Sequence, residues 1–378
     1  MKKIVFLTGT RADYGKLKAI MREVSISSEF FDCYIFVTGM HMLAKYGSTY
    51  SEVLAGGFGE YFTYINQNHS DSMDSVLAKT INGFSDFIKE IKPDLIVVHG
   101  DRVEALAGAI VGSLNNILVS HIEGGEVSGT VDELIRHAIS KLARLHFVAN
   151  KDAHRRLLQL GERAASIFTI GSPDLDIMKA TNLPTLETVK KHYSIEFETY
   201  SVVLFHPVTT EIADMYEYAQ NFIEALTQVT GNYVIIFPNN DLGSDEILKT
   251  YKNLAGESRF KIIPSMRFEY FLTMIKYATC MIGNSSAGVR EAPFYGLPSV
   301  NIGTRQNNRS FVQSIVHSSY QVGDIVEAIY VAQKMERQIV DYKFGDGESS
   351  KRFVNILKCD EIWSLTSQKY FVDLQPVE

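Results

Sequence analysis

The chain has 378 residues, 46% of them hydrophobic and 21% charged, with a formal net charge of −7. That length exceeds what one ordinary core serves and points to two domains of normal globular composition. The negative charge excludes broad nucleic-acid binding, which needs a basic surface to release counterions, and no apolar run approaches the roughly 18 residues of a membrane span.

The opening MKKIVFLTGTR imitates a signal peptide, but its apolar stretch is short and Arg11 and Asp13 follow at once, so a cytoplasmic protein with no membrane partner is expected. Cys33, Cys280 and Cys359 are widely separated and lack CxxC spacing. They offer neither a disulfide framework nor a thiolate metal site and read as buried small apolar residues.

The first run continues into FLTGTRADYGKLK, a strand, a glycine-bearing turn and a helix. A P-loop requires G-x-x-x-x-G-K-[ST]. Here Gly9 and Gly15 stand one residue too far apart, and Leu17 follows Lys16 where a hydroxyl is needed. Two readings survive: a plain strand-to-helix turn, or a phosphate turn using helix N–H groups with a forked contact from Arg11. Lys16 reads as the start of a helix.

Further apolar runs trail polar residues: CYIFVTGMH, DLIVVHGD, ILVSHIEGG, LHFVAN and IFTIGSPD, then SVVLFHP, YVIIFPNND, CMIGNSSAG and SVNIGTR. Continuous runs of this kind suit strands buried on both faces of a parallel sheet, and their alternation with helical patterns suggests βαβ units. The pattern pauses over 178–200 and restarts, which gives two doubly wound α/β domains with ligands outside the carboxyl ends of the strands. The last stretch, from Lys351 onward, is amphipathic, carries the only tryptophan, Trp363, and is expected to pack back on the body.

Asp101 and Arg102 follow one strand end, and Glu123 leaves another into Gly124-Gly125. Asp132 stands near the start of a helix bearing Arg136 and His137; alone, it reads equally as a helix N-terminal charge. Three carboxylates at strand ends of one domain repel, which raises at least one pKa and separates acid from base roles. In the second half His206 precedes Pro207 at a strand end, either as a structural histidine or as a site residue. GNSSAGVRE offers Ser285, Ser286, Gly288 and helix N–H groups to a phosphate, with Glu291 suited to a ribose diol. Arg305 and Arg309 read as cleft cations or as a solvated face. Asp174 and Asp176 form a D-x-D pair too common by chance to make a metal site, and no HExxH, clustered His/Cys or G-x-S-x-G pattern occurs.

Together GTRADYGKLK, TGMH, HGDR, HIEGGEVSGTVDELIRHAISKLA, FHPVTTE, PNND, RFEYF and GNSSAGVREAP with GTRQ resemble the hydrolysing UDP-N-acetylglucosamine 2-epimerases of sialic acid synthesis, over nearly the whole chain. Non-hydrolysing relatives typically read GTRPE and TAQH where this chain has Ala12-Asp13-Tyr14 and Thr38-Gly39-Met40-His41. The resemblance implies two Rossmann-like doubly wound domains, glycosyltransferase-B-like, with the active site in the interdomain cleft. It implies boundaries of 1–180 for the domain with the carboxylates, 181–350 for the UDP-binding domain and 351–378 for a helical tail.

The implied reaction converts UDP-N-acetylglucosamine and water to N-acetylmannosamine and UDP through 2-acetamidoglucal, with no cofactor and no metal. Asp101, Glu123, Asp132 and His206 are then the catalytic residues. Arg11, Arg102, Ser285, Ser286, Gly288, Glu291 and Arg305 are then the UDP and sugar contacts. A homodimer or homotetramer is also implied. The alternatives are a 2-epimerase for a UDP-2,4-diacetamido-trideoxyhexose of the legionaminic-type route, a glycosyltransferase, and a non-catalytic nucleotide-sugar sensor. Loss of Asp101 or Glu123 would mark the sensor, and both are present.

Overall fold

The computed structural model describes residues 1–373 other than 69–70, 129–130, 181–182, 255, 307–312, 338–342, 367 and 371. The chain divides into two compact units, one of Met1–Glu126, Asp132–Ala180 and Lys343–Glu378, the other of Val127–Val131 and Thr181–Tyr342.

The first unit is built on a seven-stranded parallel sheet of β1 (Lys2–Thr8), β2 (Phe31–Val37), β3 (Glu60–Thr63), β4 (Leu95–His99), β5 (Leu118–Ile122), β6 (Leu145–Val148) and β7 (Ile167–Thr169). Its order is β3-β2-β1-β4-β5-β6-β7. Ile4, Phe6, Leu95 and Val97 are fully buried, as strands covered on both faces by helices require. The chain leaves β1 toward β2 and later returns to pair β4 on its other side. Strand order reverses there, the position at which sheets of this kind take their ligands.

The second unit repeats the plan with β8 (Ser201–Leu204), β9 (Tyr233–Ile236), β10 (Phe260–Ile263), β11 (Met281–Gly283), β12 (Ser299–Ile302) and β13 (Ile315–Ser318). The order is β10-β9-β8-β11-β12-β13, all parallel, with the reversal between β8 and β11. Gly283 has φ of +138°, and a Cβ there would lie 2.1 Å from the Leu204 carbonyl oxygen, so only glycine lets β11 end this close to β8.

Residues 343–350, read from the sequence as the end of the second domain, lie in the first unit. Ser172 N–H donates to Phe344 O at 2.7 Å, Lys179 Nζ to Asp346 O at 2.6 Å, and Arg352 grips Asp346 at 2.7 Å. The helix Ser349–Leu357 then packs Phe353 against Phe147 at 4.5 Å between ring centroids, and Trp363 lies against Phe31. Cys33 and Cys280 are buried as expected, whereas Cys359 is exposed, just beyond the end of the Ser349–Leu357 helix. Among the described residues no helix is long and apolar enough to cross a membrane.

Candidate active site

In the first unit the candidate side chains Asp101 and Glu123 stand where strands end. β4 stops at His99, and Gly100 turns the chain so that Asp101 and Arg102 precede the helix Val103–Leu114. β5 stops one residue short of Glu123, in register with β4 through His99 and Ile122. Neighbouring strand ends thus bring Asp101 and Glu123 into one region.

Glu123 has φ of +63°, the left-handed region a carboxylate residue seldom enters, at a cost on the order of 1 kcal/mol. Its carboxylate is buried, 3.0 Å from His99 Nε2 and 3.9 Å from Lys16 Nζ, and accepts a hydrogen bond from the Ser172 hydroxyl. Asp101 is paired with the guanidinium of Arg136, which is itself buried and also donates to Glu126 O. Arg136 belongs to the helix Val131–Leu142, whose first turn carries the half-buried Asp132. One helix therefore supplies both the cation that holds Asp101 and the third carboxylate.

Lys16 is not merely the start of a helix. It is buried, with Nζ 3.2 Å from Asp174 Oδ2 as well as near Glu123. Both aspartates of the D-x-D pair are engaged: Asp174 by Lys16, Asp176 by the backbone N–H groups of Ser349 and Ser350 and by the Ser350 hydroxyl. Among the described residues no group of three or more His, Cys, Asp and Glu side chains is arranged to hold a metal ion.

The first glycine turn also departs from expectation. Thr10 caps the helix Arg11–Ile26 in a capping box, and Asp13 Oδ2 accepts from the backbone N–H groups of Gly9 and Thr10 at 3.0 and 3.2 Å. Those two donors serve Asp13 rather than a phosphate. Burial raises the Asp13 pKa, against the opposing hydrogen bonds from Thr8 and Gly9. Thr8 Oγ1 lies between Asp13 and His41 Nε2, so the GTRADYGKLK and TGMH segments meet at Thr8. Arg11 Nε pairs with Glu52 at 2.7 Å, and Arg102 Nε lies 3.7 Å from the buried Glu104.

His121 was not singled out from the sequence. Fully buried, it contacts Gly100 O through Nε2 at 2.7 Å and Ser140 Oγ through Nδ1 at 3.0 Å. Burial depresses its pKa to about 3, so the ring is neutral, with the Nε2 hydrogen donated to Gly100. One ring thereby ties the Asp101 turn to the helix that carries Asp132. The only signal in the sequence was its position two residues before Glu123.

In the second unit His206 follows β8. Its backbone N–H donates to Asn284 Oδ1 at 2.7 Å, and Asn284 Nδ2 donates back to His206 O at 2.8 Å. Asn239 N–H donates to His206 Nδ1 at 3.0 Å, which leaves the hydrogen of a neutral ring on Nε2. Asn284 O accepts from Gln306 Nε2 at 2.9 Å and lies 3.4 Å from an Arg305 nitrogen. His206, the GNSS segment and the GTRQ segment therefore form one network.

Ser285 caps a three-residue 3-10 turn, Ser286–Gly288, and Glu291 opens a separate four-residue helix, so the single helix expected after GNSS is two short pieces. Gly288 O accepts from Ser299, and Glu291 is buried. Arg309 lies outside the described residues.

A family model described as UDP-N-acetylglucosamine 2-epimerase matches residues 25–358. The chain belongs to the UDP-N-acetylglucosamine 2-epimerase family. It is 46% identical over 377 residues to a UDP-N-acetylglucosamine 2-epimerase of Neisseria meningitidis serogroup B, covering 99% of this chain and 100% of that one. It is 33% identical to a hydrolysing UDP-N,N'-diacetylbacillosamine 2-epimerase of Legionella pneumophila, covering 95% and 96% of the two chains. The crystal structure of Methanocaldococcus jannaschii UDP-GlcNAc 2-epimerase, in complex with UDP-GlcNAc and UDP, superposes with a TM-score of 0.79 at 22% identity over 94% of this chain and 99% of that one. The expected fold class, two Rossmann-like doubly wound α/β units of glycosyltransferase-B-like type, is the one the epimerase family and these sheets share.

Proposed function

We propose that the chain is a hydrolysing UDP-N-acetylglucosamine 2-epimerase that supplies N-acetylmannosamine for sialic acid synthesis. The observation that carries this reading is the pair of strand-end carboxylates, Asp101 against Arg136 and Glu123 against His99 and Lys16. A carboxylate takes the C2 proton while the C1–O bond breaks, its electrons leaving with UDP, to give 2-acetamidoglucal. Water then adds hydroxyl at C1, and a second acid returns a proton to the opposite face of C2. The sum is UDP-N-acetylglucosamine plus water to N-acetylmannosamine plus UDP.

Asp101, with a quarter of its side chain exposed, and the half-buried Asp132 suit groups that meet the substrate. Glu123, saturated by donors, suits a fixed negative charge beside the reacting carbon, opposite charge developing in the transition state. His206, Arg11, Arg102, Arg305, Ser285, Ser286, Gly288 and Glu291 are assigned to the nucleotide and its leaving diphosphate. The hydrolysing branch rests on the Asp13–Thr8–His41 cluster joining the two segments that mark it.

The likeness to the Legionella enzyme favours a second reading, in which the sugar is a UDP-2,4-diacetamido-trideoxyhexose. Mass spectrometry of products from each UDP-sugar separates the two. Free N-acetylmannosamine and UDP from UDP-N-acetylglucosamine support the first reading. Turnover of the diacetamido sugar alone replaces it with the second, and no turnover of either leaves the sensor.

A further inference from the structure

The motif that contributes His206 ends at Glu211, whose side chain no step above uses. Its Oε1 accepts a hydrogen bond from Thr304 Oγ1 at 2.5 Å, and its Oε2 accepts one from the Tyr320 hydroxyl at 2.8 Å. Tyr320 is 9% exposed and lies flat on Tyr218, ring centroids 3.8 Å apart and 3° from parallel. Gly303 also lies against that ring: its φ is +70°, and a Cβ there would lie 2.0 Å from Tyr320 Cζ. One carboxylate thus clamps the loops that follow β8, β12 and β13.

Beyond the clamped Thr304 come Arg305 and Gln306, which reach the Asn284 carbonyl, and Asn284 holds the His206 backbone in turn. Two charge-assisted bonds to one carboxylate fix a loop more firmly than neutral pairs would. We propose that Glu211 is a positioning residue for nucleotide binding. Through Thr304 and Tyr320 it sets the loop in which the buried Gln306 ties back to Asn284 and Arg305 is presented to the diphosphate. This rests on the reading of the second unit as the UDP-binding one.

The test is a double-mutant cycle of Glu211→Gln and Tyr320→Phe, with the UDP Kd measured by calorimetry and Tm by circular dichroism. Tyr320→Phe keeps the ring stack and serves where Glu211→Gln fails to fold. Each single variant is expected to weaken UDP binding about five- to tenfold, the scale of one ordinary hydrogen bond lost. The double variant is expected to be no more than about twofold weaker than the worse single one, because both break the same clamp. A lowered Tm with a wild-type Kd in both singles would overturn the positioning role and leave a structural one. Fully additive losses would overturn the clamp. Absence of UDP binding by the wild-type protein would instead sink the functional reading itself.

Discussion

Glu123 joins a left-handed backbone, a buried charge and contacts to three side chains drawn from distant parts of the sequence: His99, Lys16 and Ser172. Such a residue costs stability and persists where its surroundings hold it in place. Glu123→Gln keeps the shape but removes the charge, so UDP binding should stay within about threefold while turnover falls at least about 100-fold. Turnover within a few-fold of wild type would show that the charge takes no part. Lys16 follows the same logic from the other sign. Lys16→Met removes the ammonium between Asp174 and Glu123, and losing one member of a buried ion pair costs about 3 kcal/mol or more. Urea unfolding should show that loss, and Lys16→Met with Asp174→Asn should recover part of it. Equal stabilities for the single and double variants would contradict the pairing.

At the level of elements, the interior strands were legible because each is a short, mainly apolar run trailed by polar residues. β3, β10 and β13 were not, and all three are edge strands. An edge strand is covered less, so its sequence need not be apolar throughout; every residue of β3 is exposed. The carboxylates were legible because parallel sheets deliver polar residues to strand ends. Lys16, Asp13 and His121 were not, since what each does is decided by partners that only folding brings near. The clamp on the far end of the Val131–Leu142 helix has the same origin: Lys369 donates to Ser140 O and Ala143 O and pairs with Glu162 at 2.6 Å. Burial pushes the Glu162 pKa up, but the hydrogen bond from His146 and the cations of Lys141 and Lys369 outweigh it and hold the carboxyl at about 2. A carboxyl so depressed stabilises the fold above its unfolded pKa, near 4.5, and ceases to do so as pH falls through about 2. The stability difference between wild type and Glu162→Gln should therefore be full at pH 6 and shrink steadily below pH 4.5. A difference independent of pH would contradict the assignment.

For the whole molecule, His41 and His121 are buried and neutral, each with its pKa depressed to about 3 chiefly by desolvation. The unfolded chain binds protons at these positions below about pH 6.5 while the folded chain does not, so stability falls with falling pH between those limits. Each contributes a slope of about 1.4 kcal/mol per pH unit well inside that window. Urea unfolding at pH 7, 6 and 5 should show a progressive loss, and a flat profile would mean that the rings take up protons in the folded state.

The central claim is that a strand-end carboxylate removes the C2 proton and solvent returns one to the other face. Proton NMR of the reaction with UDP-N-acetylglucosamine in deuterated water tests it directly. The expected products are UDP and N-acetylmannosamine carrying deuterium at C2. UDP with unlabelled N-acetylglucosamine would mean simple hydrolysis at C1 and would contradict it.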